Sequence, residues 1–133
     1  MLGGSGRDVL DGDSGADRLF GQSGNDLLSG GSGRDMLAGG DGNDRLLGAS
    51  RARAPSTRSR GSSADRLYGE RGNDTLRAGS SAGNLLDGGS GNDIIDARNG
   101  KRDTVKCGTG FDRAFVDRVD KVASCERLTR KRA

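Results

Sequence analysis

The chain has 133 residues, 25 of them Gly, with 3% aromatic and 30% hydrophobic residues, too few large side chains to fill an ordinary globular core. It contains no His and no Trp, which removes the commonest general base and zinc ligand, and no apolar run is long enough to span a membrane. The net charge of +3 hides an asymmetry: residues 1–48 carry eight Asp against four Arg, and residues 49–133 carry eighteen Lys and Arg against eleven acids.

Read in chain order, residues 3–47 divide without a gap into five nine-residue units, GGSGRDVLD, GDSGADRLF, GQSGNDLLS, GGSGRDMLA and GGDGNDRLL. Each has Gly at its first and fourth positions, Asp at its sixth and an apolar residue at its eighth. Residues 49–59, opening ASRARAPSTR, interrupt the period with a basic Arg/Ser-rich stretch that contains the single Pro. The period resumes over residues 60–96 as RGSSADRLY, GERGNDTLR, the ten-residue AGSSAGNLLD and GGSGNDIID. Asn84 stands where the acid of the ten-residue unit belongs. Over residues 97–128 the pattern decays through ARNGKRDTVK, with Asp103 and Val105 in place, and CGTGFDRAF, with Cys107 at the first position. Residues 129–133 form a short basic tail.

Fixed Gly positions permit positive φ and close backbone approach, so the first six residues of each unit read as a turn. The last three read as a brief strand. Alternation along that strand turns the eighth residue inward, a column of Leu10, Leu19, Leu28, Leu37, Leu46, Leu67, Leu76, Leu86 and Ile95. A coil of turn, strand, turn, strand closes one winding in two units, and windings stack as parallel strands about 4.8 Å apart. The predicted fold is all-β, a parallel β-roll (β-solenoid) with two nonapeptides per winding. Stacking also superposes the sixth-position carboxylates, which repel unless a cation lies between them. Carboxylates and turn carbonyls without His or a Cys cluster make an oxygen-only donor set, suited to Ca²⁺ more than to Mg²⁺ or zinc.

GGSGRDVLD, GGSGRDMLA, GGDGNDRLL and GGSGNDIID resemble the RTX, or haemolysin-type, calcium-binding nonapeptide. The resemblance implies several calcium ions held between turns two repeats apart. Its carboxylate ligands would be Asp8, Asp17, Asp26, Asp35, Asp44, Asp65, Asp74 and Asp93. Backbone carbonyls would come from turn residues such as Gly3, Ser5, Gly12, Ser14, Gly21, Ser23, Gly30, Ser32, Gly39, Asp41, Gly88 and Ser90. Ser63, Ala82 and Asn84 depart from the pattern, so a full-affinity site is not expected at residues 78–87. The ending DTVKCGTGFDRAFVDRVDKVASCERL resembles that of many actinobacterial haemolysin-type calcium-binding proteins, in which two cysteines bracket a degenerate last winding.

Cys107 and Cys125 lie eighteen residues apart, one winding, so a disulfide between them is within reach and points to an oxidising, extracellular compartment. No nucleophile elbow, metal-hydrolase His pair or phosphate-cradling loop occurs, and a non-enzyme is expected. The leading functional reading is a secreted roll folded by calcium. One alternative is a basic adhesive module using residues 49–60 against anionic polysaccharide or a cell surface; without interleaved aromatics, specific nucleic-acid binding is not expected. Another is a calcium-dependent roll carried by a larger secreted enzyme or toxin, since residues 1–3 lead straight into the first repeat.

Overall fold

The computed structural model of the chain describes residues 1–48 and 64–130. Two parallel sheets of seven strands face each other, and no helix occurs among the described residues. The first sheet stacks β1 (Leu2–Ser5), β3 (Arg18–Ser23), β5 (Met36–Asp41), β7 (Arg66–Arg71), β9 (Leu85–Ser90), β11 (Thr104–Thr109) and β13 (Lys121–Ala123). The second stacks β2 (Val9–Asp11), β4 (Leu27–Ser29), β6 (Arg45–Leu47), β8 (Thr75–Arg77), β10 (Ile94–Asp96), β12 (Arg113–Val116) and β14 (Arg127–Arg130). Successive strands alternate between sheets, so the chain is the predicted β-roll.

Register follows the repeat. Leu19 pairs with Leu37, Leu37 with Leu67, Leu67 with Leu86 and Leu86 with Val105. In the opposite sheet Leu10, Leu28, Leu46, Leu76, Ile95 and Ala114 form the matching column. From Leu19 to Val105 every one of these eighth-position side chains is fully buried, and the two columns meet as the core. Leu10, in the first winding, is covered on one side only and stays half-exposed.

Two expectations need correction. Strands β3, β5, β7, β9 and β11 of the first sheet are not three residues long but six, running on into the opening residues of the next repeat: Gln22 pairs with Gly40, and Asp41 with Arg71. The parallel ladder therefore continues through half of the turn, where Gly40 holds a φ of 108° and Gln22 and Glu70 accept positive φ without being Gly. Thr129 and Arg130, expected in the tail, instead pair with Phe115 and Val116 in β14.

The basic insertion lies outside the described residues, but its effect on register is defined on either side. The Asp35 N–H bonds a carboxylate thirty residues on, that of Asp65, where the unbroken repeats bond eighteen on; the difference is twelve residues. The first-position Gly of the interrupted unit is Gly48, not residue 60: a Cβ on Gly48 would lie 2.8 Å from Asp65 Oδ2. Deleting residues 49–60 joins Gly48 to Gly61 and restores an unbroken GGSSADRLY. The shortened chain should give the same calcium-dependent circular dichroism change as the full chain. A lost response would show that the insertion itself supports the roll.

Candidate calcium sites along the two turn columns

The turns stack into two columns, one at each edge of the roll. One edge carries Asp8, Asp26, Asp44, Asp74, Asp93 and Asp112 in successive windings, linked by hydrogen bonds from N–H to carboxylate. The other carries Asp17, Asp35, Asp65, Asn84, Asp103 and Asp120. These residues are buried from Asp26 onward, while Asp8 and Asp17 in the first winding are half-buried. In each column the carboxylate Oδ1 accepts the backbone N–H of its counterpart one winding earlier: Asp8 N–H to Asp26 at 2.8 Å, Asp44 N–H to Asp74 at 2.7 Å, Asp74 N–H to Asp93 at 2.9 Å. Glu126 takes over at the end, accepting from Asp112 N–H.

The second oxygen is different. Oδ2 of Asp8, Asp17, Asp26, Asp35, Asp44, Asp74, Asp93 and Asp112 is buried with no hydrogen-bond donor. A carboxylate oxygen left this way is among the most costly groups to bury. In all of these repeats but that of Asp112, which has Cys107 there, the first-position Gly bounds the space in front of it. A Cβ on Gly3 would lie 2.8 Å from Asp8 Oδ2 and 2.7 Å from the Gly21 carbonyl of the next winding. The same convergence recurs at Gly12 with Asp17 and the Gly30 carbonyl, at Gly21 with Asp26 and Gly39, and at Gly69 with Asp74 and Gly88. Only a residue without a side chain leaves this carbonyl-and-carboxylate space open.

The third-position carbonyls belong to the same turns. Those of Ser23, Ser32, Asp41 and Ser90 each accept the N–H of a fourth-position Gly in the preceding winding, at 2.8–2.9 Å, which uses one of two lone pairs. Ser5 and Ser14, in the first winding, sit in register with Ser23 and Ser32. Among the described residues no three acidic or Cys side chains converge on one point. A cation here therefore has to be held by carboxylate and carbonyl oxygens together, which is hard-donor chemistry fitted to calcium.

Burial dominates the electrostatics. It pushes the carboxyl groups of Asp65 and Asp74 up to about 7 and those of Asp93 and Asp103 up to about 6; neighbouring carboxylates add to the rise, and the N–H bonds to Oδ1 oppose it. A folded value above the unfolded one means that protons stabilise the metal-free roll: this stability is complete below about pH 4 and is lost as pH rises through 6–7. In EDTA, lowering pH from 8 to 5 should therefore raise the β-sheet signal in far-UV circular dichroism. A signal that falls over that range would contradict the origin assigned to these shifts.

Asp65 is buried and bonds the Asp35 N–H, but its turn includes residues outside the described range. Two features were missed from sequence. Asp112 belongs to the first column by geometry, with the same donorless Oδ2. Asn25, Asn43, Asn73 and Asn92, at the fifth position, form a second ladder beside the aspartates, each Oδ1 accepting the N–H of the next winding at 2.8–2.9 Å. Its signal is an Asn at every other repeat, visible only when the chain is read two repeats at a time.

A roll of stacked Gly-rich turns with an all-oxygen donor set along each edge defines a calcium-binding repeat protein. The RTX calcium-binding nonapeptide repeat matches the chain in four copies, at residues 2–37, 20–50, 61–82 and 79–101, and the chain belongs to that family. No curated protein and no solved structure matches it.

Beyond those matches, the expected disulfide is present: Cys107 in β11 joins Cys125, just after β13, with a Cα separation of 5.1 Å. It ties the last winding to the one before it, where the repeat has decayed and Val119 and Leu128 are exposed.

Proposed function

We propose that this chain is a non-catalytic, extracellular roll whose folding is driven by calcium. The observation that carries the reading is the series of buried, donorless Oδ2 atoms along both turn columns, those of Asp8, Asp17, Asp26, Asp35, Asp44, Asp74 and Asp93 each facing a first-position Gly. Bound calcium would supply positive charge between the turns. Asp8, Asp17, Asp26, Asp35, Asp44, Asp74 and Asp93 would hold it through Oδ2, with first- and third-position turn carbonyls completing the oxygen shell. Asp65 would serve in the same way in the interrupted turn.

Extracellular placement is supported by the family and by the Cys107–Cys125 bridge, which persists in oxidising surroundings. Free calcium is also high outside cells, and weak multi-ion sites fill only there. Calorimetric titration tests the reading: several calcium ions should bind per chain, and an excess of Mg²⁺ should not displace them. Binding of one ion, or equal response to Mg²⁺, would overturn it.

A further inference from the structure

The second turn column changes its chemistry partway along. Asp17 and Asp35 keep an Oδ2 without a donor, but Asp103 does not. Asp103 Oδ1 accepts the backbone N–H of Asn84 at 2.9 Å and its Nδ2 at 3.0 Å, while Oδ2 accepts Nδ2 of Asn99 at 2.7 Å. The same Asn99 nitrogen lies 2.9 Å from the Gly79 carbonyl and 3.0 Å from the Ser81 carbonyl. Two turn carbonyls and one aspartate oxygen thus converge on an amide nitrogen. In the turns of Asp8, Asp17, Asp26, Asp74 and Asp93, a carbonyl of the next winding and the aspartate Oδ2 converge instead on a space where that Oδ2 has no donor.

The orientation of that amide is set by its other end. Asn99 Oδ1 accepts the Lys101 N–H at 2.8 Å, a turn made possible by the extra residue of its unit ARNGKRDTVK, ten residues long. The next turn is closed by the same means: Asp120 accepts the N–H groups of Asp103 and Asp117, and Asp117 accepts that of Gly100. Asn84, fully buried at the aspartate position, donates to the Ser81 carbonyl at 2.7 Å.

The geometry points to Asn99 as a built-in replacement for the cation: its carboxamide takes the place that calcium takes in the regular turns. This rests on the calcium reading of those turns. One edge of the roll, from Gly79 to Asp120, is then closed by N–H donors alone, and the disulfide fastens the winding beyond it. Asp93 and Asp112 on the opposite edge retain donorless oxygens, so calcium consolidates these windings without being required to form them. The C-terminal windings are the metal-independent base on which calcium assembles residues 3–48 and 64–77.

Hydrogen exchange on the full chain, in EDTA and in saturating calcium, tests this. In EDTA the amides of Asn84, Asp103, Thr104 and Lys121 should exchange on the order of a hundredfold more slowly than those of Asp26 and Asp44, as separately opening units do. Asn99→Asp sets a carboxylate against Asp103, and protection of those amides should then require calcium. Uniformly fast exchange of the wild-type chain in EDTA, or EDTA protection that survives Asn99→Asp, would overturn the inference. Slow exchange at Asp26 and Asp44 in EDTA would instead refute the calcium-folding reading, leaving Asn99→Asp to decide this one.

Discussion

Asp44→Asn is expected to weaken the calcium response and to stabilise the metal-free roll at the same time. Asp44 Oδ1 accepts the Asp26 N–H, and an asparagine preserves that acceptor. What changes is Oδ2, buried and without a donor against Gly39. Replacing this charged oxygen by a neutral NH₂ removes a desolvation cost of about 1–3 kcal/mol from the apo state. It also removes one negative charge from the calcium shell, and ligand charge tunes affinity over decades, so the calcium midpoint should rise roughly tenfold or more. The chain already contains such a substitution: Asn84 occupies an aspartate position and meets its partners through N–H donors. The β-sheet signal in EDTA, expected to rise, and calcium titrations of the same variant read the two effects separately. A variant weakened in both conditions would mean that Asp44 serves packing alone.

The second large effect belongs to the disulfide. Cys107→Ser with Cys125→Ser opens a loop of eighteen residues, which costs about 3 kcal/mol in the chain-entropy estimate. The loss should be larger in EDTA than in calcium, because the bridge holds a winding where the eighth-position column has shrunk to Ala114 and a half-exposed Val122. Denaturation midpoints of the wild-type and Ser variants in both conditions measure it. Equal midpoints would show that β13 and β14 hold without the covalent tie.

Much of this architecture was legible in the repeat, and the reason is stacking. Because the windings are superposed, a residue at a fixed place in the unit meets its own kind one winding on, so Leu19 over Leu37 and Asp26 over Asp44 follow from the period alone. The Cys pair followed by the same arithmetic. Hydrogen bonding within the turns was not legible. Superposed carboxylates suggest mutual repulsion, yet each spends one oxygen on a backbone N–H, leaving the other to define the site. Insertions hid the rest. Gly48 lies twelve residues ahead of the remainder of its unit, so residue 60 falls in its place when the chain is read linearly. Asn99 likewise has no place in a nine-residue pattern; it reaches Gly79, Ser81 and Asp103 because the unit carries an extra residue.

The central claim is that the roll folds because calcium neutralises its two columns of buried carboxylates. Far-UV circular dichroism of the full, disulfide-bonded chain at pH 7.5, from EDTA through a calcium titration, tests it most directly. The expected result is a largely unfolded spectrum in EDTA, with a minor β contribution from the C-terminal windings, converting cooperatively to a β-sheet spectrum as calcium is added. A full β-sheet spectrum already present in EDTA and unchanged by calcium would contradict it.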